Sequence, residues 1–466
     1  MTQKRVLVVG AGISGLACAF DLVRAGCEVV LLERAERAGG VIGTLRFDGC
    51  AFETGPNTVP AGAAAFRNLC GDLGIARALV ASRPESKVRY LFHRGRLRAL
   101  PRGPGGFLGS GLLSTAGKLR VLREPLVRHR RVPEGAPEPT FEAFLAERIG
   151  REATRVLAGA FVRGVYAAEI GELGARSAFP RLWELAQEHG GIARGMRARA
   201  RARGDAAPLP GPPVPRSALL SFAGGLAELV DALAARLAGA LRTGVLAERL
   251  ERRGAGFACT TSDGERLEVD AVVLAVPAPA ARALLEPLGV ARAALAALAA
   301  IAHAEVTLVH MSLGSASLPP GFGFLVPPDE ALRGGEAPAL LGALFVSNLF
   351  DGRAPAGRAA TTAIYKTSDL GRLGEHEVVL RAARDLAVGT GSGHEVRAAR
   401  VQRWRDVIPR YAVGHDQRLA ELLAALAGTC PSLHLAGSYT GGVSVDDCIA
   451  RGREVARAVS APESRP

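Results

Sequence analysis

Three glycines, Gly10, Gly12 and Gly15, stand between a short apolar run, Val6 to Val9, and a helix-period pattern through Leu16, Ala19, Phe20 and Val23. A second apolar run, Val29 to Leu32, follows and ends on Glu33. Strand, glycine turn, helix and strand in that order form the context in which G-x-G-x-x-G binds a dinucleotide. Each glycine then has a mechanical reason: Gly10 makes the tight turn, Gly12 lets backbone approach a pyrophosphate, and Gly15 lets helix and strand pack closely. The helix start offers its unpaired N–H groups to the phosphates. Glu33 is placed to accept from ribose hydroxyls, and its charge repels a 2'-phosphate, so the expected cofactor is NAD-like or FAD and not NADP.

Other chemistry is sparse. The glycine runs at 103–111 and 389–393 lack flanking strands and are expected to be loops. The seven cysteines contain no C-x-x-C pair and the nine histidines no H-E-x-x-H spacing, so no metal is expected and buried free thiols are. No Ser/His/Asp or paired-carboxylate constellation is apparent, and no catalytic side chain is assigned. At the far end, Leu433 to Leu435 reads as a strand, followed by Gly437, Gly441 and Gly442 and a helix from Asp446 to Val459. That is a second helix start suited to negative charge.

The elements that must position these residues belong to a large protein. At 466 residues the chain exceeds the roughly 250 to 300 that one core organises, so two or three domains are expected. With 48% hydrophobic and 22% charged residues it has ample material for packed interiors. The longest clean apolar run, 293–302, is far short of the ~18 residues a membrane span needs. A strand-like run beginning at Arg5 leaves no place for a secretory signal, and a cytoplasmic protein is expected. Charge is uneven: residues 83–216 hold 25 Lys and Arg against 12 Asp and Glu, which leaves 33 of each elsewhere. A solvated face, a nucleic-acid patch and a surface for anionic lipid all fit such an excess. Aromatics total only 5%, too few for a stacking platform, so nucleic acid is not expected as a partner. The proline-rich stretch 208–215 cannot continue a helix and is read as a linker.

Arg34, Arg37, Gly39 and Gly40, just after Glu33, resemble the arginine and paired glycines that extend the clasp in the flavoenzyme superfamily of amine oxidases, carotene desaturases and protoporphyrinogen oxidases. This extension points to FAD. The C-terminal LAGSYTGGVSVDDCIARG closely resembles the flavin motif of oxygen-dependent protoporphyrinogen oxidases. Related pieces run colinearly through the chain, among them FETGPNTV (52–59), GVYAAEIGELGARSAFPRL (164–182), SFAGGLAELVDAL (221–233), GFGFLVP (321–327) and RWRDVIPRYAVGH (403–415).

The resemblance implies an α/β protein: a Rossmann-like FAD-binding domain of the amine-oxidase type (1–85, 217–290 and 400–466), an α+β substrate domain (291–399, with neighbouring segments), and an inserted basic helical domain (86–216) that docks on a membrane. It implies a monomer or homodimer, peripheral at the inner face of the cell membrane. In the reaction it implies, hydride leaves a meso carbon of a porphyrinogen for flavin N5, and O2 reoxidises the flavin to give peroxide. Carried over residue by residue, Gly10, Gly12, Ser14, Gly15, Glu33, Arg34, Gly39, Gly40, Val245, Trp404, Gly437, Val443, Ser444 and Val445 fall on FAD-contact positions. Asn57, Phe322, Gly323 and Leu325 fall on positions flanking the tetrapyrrole, with Gly323 giving the flat ring clearance. One departure stands out: Gly105 occupies the place of an arginine that pairs with a propionate, and Arg98 or Arg102 is expected to supply the charge instead. Coproporphyrinogen III is an alternative substrate, and a flavin amine oxidase or a non-catalytic flavoprotein are alternative functions.

Overall fold

The computed structural model describes residues 3–461 except 130, 134, 203–207, 316–317, 329 and 331–339. The opening strand Arg5–Val9 lies at the centre of a five-stranded parallel sheet, ordered Leu241–Thr243, Glu28–Glu33, Arg5–Val9, Ala271–Leu274, Leu433–Leu435. Its runs are apolar because both faces are covered. The opening helix Ile13–Arg24 and the closing helix Val445–Ser460 cover one face. A three-stranded meander, Ala247–Arg253, Gly256–Thr261 and Arg266–Val269, packs Leu250, Phe257 and Leu267 on the other.

The first and last helices touch directly. A Cβ on Gly452 would sit on the Ser14 carbonyl oxygen, so this glycine is what lets the helices close together. Arg453 holds the seam with Nε 2.9 Å from Asp21 and an Nη 2.6 Å from Asp72 at the end of helix Ala64–Asp72.

A second sheet of seven strands runs in the order Val396–Pro409, His303–Leu313, Ala359–Lys366, Leu340–Leu344, Gly323–Leu325, Tyr90–His93, Arg96–Ala99. Helix Glu375–Thr390 buries Val378, Ala382 and Leu386 against Met311, Phe324, Phe345 and Tyr365 on one face of it. The boundaries expected at 86 and 400 therefore need correction: both cut this sheet, since strands 90–99 and 396–409 pair into it. Local sequence gives no sign of pairing between such distant segments. Arg353 and Glu53, 2% and 3% exposed, form an ion pair at 3.0 Å that joins this unit to the strand Cys50–Glu53, and burial pushes the Glu53 carboxyl up.

Between Arg102 and Ala202 lie helices at Thr115–Arg123, Phe141–Ile149, Pro180–His189 and Ile192–Ala202, and a continuous helical run over 151–166 made of Arg151–Ala153, a π stretch Thr154–Gly159 and Ala160–Tyr166. Ser114 and Thr140 cap two of these through hydrogen bonds to Gly117 and Ala143. Three expectations change. The glycine run at 103–111 is largely a short helix, Gly103–Gly109, with Pro104 in its first turn, and Gly389 and Thr390 end a long helix. The stretch 208–215 is no free linker: buried Arg67 donates to the carbonyls of Leu209, Pro210 and Pro212 and straps it to helix Ala64–Asp72. Residues 203–207 of the basic segment 83–216 lie outside the described residues.

Candidate functional site

The glycine motif sits where the opening strand meets its helix. Gly10 has φ +98°, and a Cβ there would meet the Ala275 carbonyl oxygen at 2.6 Å, whereas one on Gly15 would sit on the Gly10 carbonyl oxygen. Gly12 is different: its φ of −67° suits any residue, and a Cβ on it meets nothing within 4 Å. The space above it is open and floored by backbone, which is the room a pyrophosphate needs. Gly39 donates its N–H to the Ala11 carbonyl at 2.8 Å and bridges to Gly12, and a Cβ on Gly40 would touch the Gly12 Cα at 3.4 Å. The two glycine groups are thus one surface. Arg37 fixes the second by donating to the carbonyls of Ala38, Gly40 and Ile42, while Arg34 is exposed.

Glu33 ends its strand with one carboxylate oxygen accepting from Ala11 N–H at 2.8 Å and the other from Ala35 N–H at 3.0 Å. Its carbonyl accepts from Val245 N–H at 2.9 Å, so Val245 closes the edge beside it. Ser14 is 7% exposed and shares a hydrogen bond with the Cys448 thiol, so its side chain serves the seam between the two helices.

The other helix start comes to the same end of the sheet. Gly437 follows strand Leu433–Leu435 and has no room for a side chain between Tyr439 and the Val276 carbonyl. Ser444 caps the closing helix by accepting from Asp447 N–H at 3.1 Å, with Val443 half-buried and Val445 buried on either side. Sequence reasoning missed what holds this turn. The Tyr411 hydroxyl accepts from Gly442 N–H at 3.0 Å and donates to the Ser438 carbonyl, and a His415 ring nitrogen lies 2.8 Å from the Tyr439 carbonyl. Burial pushes the Tyr411 phenol well up and the His415 imidazole down, so both stay neutral. Glu138 of the helical insertion accepts from Gly414 N–H at 2.9 Å and from Ser177 N–H at 3.0 Å, tying the insertion to this turn. No periodicity marks Tyr411 or His415; only their place within RYAVGH did.

Trp404, expected against FAD, donates its indole N–H to the Thr54 carbonyl at 2.6 Å, and Asn57, expected beside the tetrapyrrole, donates to the Gly55 carbonyl at 3.0 Å. Ala167, at the left-handed end of the helical run 151–166 with φ +46°, packs with Trp404, Val306 and Leu341. Leu325 leans on Gly164 of the same run, where a Cβ would collide with it. Gly323, with φ +139°, lies against the Ala343 carbonyl, so the neighbouring strand alone already demands glycine there. Phe322 and Leu325 remain half-buried while Phe324 between them is buried. Arg98 Nε donates to the His93 carbonyl at 3.1 Å, and Arg102 and Gly105 are exposed. The structure brings together the dinucleotide residues and the two helix starts; it turns Arg98 onto the His93 carbonyl and lays Arg89 over Phe322, its guanidinium carbon 5.2 Å from the ring centre.

The site and fold are those of a flavin-linked oxidoreductase. The model of the flavin containing amine oxidoreductase family matches residues 13–460, and the chain belongs to that family. FAD is accordingly its cofactor, and the open backbone at Gly12, the Glu33 carboxylate and the two helix starts fit it. Among individual proteins, the chain is 34% identical over 493 residues to protoporphyrinogen oxidase of Bos taurus, covering 99% of both chains. It is 31% identical over 490 residues to coproporphyrinogen III oxidase of Propionibacterium freudenreichii, covering 97% of this chain and 90% of the other. A crystal structure from Exiguobacterium sp. 255-15 superposes with a TM-score of 0.83 at 23% identity over 99% of both chains.

Proposed function

We propose that the protein oxidises protoporphyrinogen IX to protoporphyrin IX in tetrapyrrole biosynthesis, with O2 as acceptor and H2O2 as product. What supports the reading is full-length similarity to protoporphyrinogen oxidases together with a flavin clasp built from both ends of the chain. FAD, when bound, supplies the two-electron acceptor. Gly10, Gly12, Gly15, Gly39 and Gly40 would floor its phosphates, Glu33 would hold its ribose, and the start of the closing helix would offer its N–H groups to the ring. Unpaired N–H groups there favour negative charge, so the protein stabilises the electron-rich state without titrating a side chain. Asn57, Phe322 and Leu325 orient the macrocycle; pyrrole N–H protons leave by tautomerisation, which asks no base of the protein. Three two-electron rounds convert three O2 into three H2O2.

The experiment is a comparison of initial rates of porphyrin fluorescence from protoporphyrinogen IX and coproporphyrinogen III in the purified yellow protein. A higher kcat/KM on protoporphyrinogen IX with stoichiometric peroxide is expected. The reverse preference assigns coproporphyrinogen III, and no turnover of either leaves a non-catalytic flavoprotein.

The helical insertion is the part of the molecule that meets a membrane. Among the described residues no helix is long and apolar enough to cross one. Among the described residues, seven of the ten large apolar side chains left exposed lie between 108 and 196, including Leu119, Leu122, Leu126 and Met196. Arg120, Arg123, Arg128, Arg197 and Arg199 are exposed beside them. Buried Glu124 ties the two basic helices together by accepting from Ile192 and Ala193 N–H groups. Apolar side chains ringed by arginines suit a peripheral seat on anionic lipid.

A further inference from the structure

We propose that the seam between the flavin unit and the seven-stranded sheet holds a second ligand site, which takes a small multivalent organic anion, a polycarboxylate or a phosphate monoester, and clamps the two units together. A cavity of about 480 Å³ lies on this seam. The loop 347–358, which leads into strand Ala359–Lys366 of the large sheet, lines most of it, and the flavin unit contributes Arg83. Arg83 stands two residues after strand Leu79–Ala81, which pairs with strand Leu219–Phe222 and packs Leu79 into the same core as the opening strand. Its backbone N–H donates across the seam to the Leu349 carbonyl at 2.9 Å. Clefts between packed units are where small-molecule sites preferentially form.

Three of the lining residues are arginines, and each holds back part of its donor capacity. Arg83 Nε stands 3.6 Å from Glu85 and 3.8 Å from Asp351, too far to donate to either. Arg358 gives one Nη to Asp48 and Ser312, while its Nε is buried without an acceptor among the described residues. Arg353, 2% exposed, gives one Nη to Glu53, Ser221 and Phe222 and keeps the other buried without one. Buried guanidinium N–H groups without acceptors are costly, and an oxyanion is the group that answers them best. Asp351 is the one carboxylate among the lining residues, and 93% of its side chain is exposed, so the cavity itself is cationic.

That balance calls for an occupant with more than one negative charge. Leu318, Phe350 and Pro355 add apolar wall, which suits an organic body better than a bare ion. None of the lining residues is one of those proposed to meet the flavin or the macrocycle, so both sites can fill at once. The expected effect is on the junction. Arg353 already joins the two units through Glu53, and the next residue, Thr54, holds the Trp404 indole with its carbonyl. An anion shared by Arg83 and Arg358 ties the same two units a second time.

The test is calorimetric titration of the FAD-loaded holoenzyme at fixed ionic strength with three probes: citrate, adenosine monophosphate and inorganic phosphate. One organic anion is expected to bind once per chain, at least about tenfold tighter than inorganic phosphate, and to raise the melting temperature. Citrate ahead assigns a polycarboxylate, and the nucleotide ahead assigns a phosphate ester. Arg83→Gln and Arg358→Gln each weaken that anion about tenfold, whereas Arg197→Gln, on the basic insertion, changes its affinity less than about twofold. Arg358→Gln also takes a partner from Asp48, so Arg83→Gln, which removes no side-chain hydrogen bond, is the deciding variant. Failure of both organic anions to bind, equal affinity for inorganic phosphate, or wild-type affinity in Arg83→Gln would overturn the site.

Discussion

Individual glycines separate folding from binding in this protein. Gly15 has the Gly10 carbonyl oxygen where a Cβ would be, so Gly15→Ala must displace backbone and is expected to cost about 2–3 kcal/mol of stability. Gly12 has open space and an ordinary φ, so Gly12→Ala should melt like wild type while binding FAD at least about tenfold more weakly, because its methyl enters only the cofactor's room. Thermal melts and flavin content of the two variants check the contrast; equal behaviour contradicts it. Glu33→Ala should release FAD during purification, since it removes the proposed ribose acceptor and leaves Ala11 and Ala35 N–H groups without their partner. All three positions were legible in the sequence: Gly12 and Gly15 because close approach can be met only by glycine at fixed offsets, and Glu33 because an acid ends the second strand of the unit. The reason for Gly323 was not: it comes from the neighbouring strand's Ala343 carbonyl, a partner the local sequence does not name.

Among elements, the turn before the closing helix is held by groups far from it in sequence. Tyr411 bridges Ser438 and Gly442, and its phenol can do both only while protonated, which burial ensures. Tyr411→Phe is expected to lose about 1–2 kcal/mol and to shift the potential of bound FAD to more negative values, because the helix start loses its fixed aim. A spectroelectrochemical titration reads the shift, and an unchanged potential would mean that the turn is rigid without the phenol. Strand, turn and closing helix were each readable from residues 433–459, and the helix begins within a residue of the expected Asp446. The run at 103–111 reads as a loop because its glycines lack flanking strands, while neighbouring packing stabilises a helical turn there.

At the scale of the whole molecule, a buried ion pair and a buried histidine in and beside the seven-stranded sheet bear on stability. Arg353 and Glu53 join that sheet's unit to the flavin unit, and Arg353→Ala, leaving Glu53 buried and unpaired, is expected to cost about 3–5 kcal/mol in chemical denaturation. His310 is fully buried with Nδ1 2.9 Å from the Thr362 hydroxyl, and burial holds its pKa at about 4 against an ordinary 6.5. The unfolded chain takes up this proton as pH falls from 6.5 towards about 4 and the folded chain does not. Stability is therefore full above pH 6.5 and lost through that window, by about 3 kcal/mol from this group. The drop in melting temperature between pH 7 and pH 5 should shrink in His310→Asn; an undiminished drop contradicts the assignment. Binding of the holoenzyme to anionic vesicles should weaken with added salt and fall in Leu126→Asp, as expected for arginines and apolar side chains acting together.

The sequence by itself determined the parallel flavin sheet's first half, both helix starts, the cofactor's class and the basic insertion. Those features depend on short-range periodicity, on glycine geometry and on summed charge, all of which are local or additive quantities. Only the tertiary structure decided which sheet strands 90–99 and 396–409 join, that Tyr411 and Glu138 hold the flavin turn, and that Arg89 rather than Arg98 lies on Phe322. Pairing between distant segments and the direction of a long flexible side chain are set by what packs around them, and no short window of residues carries that information.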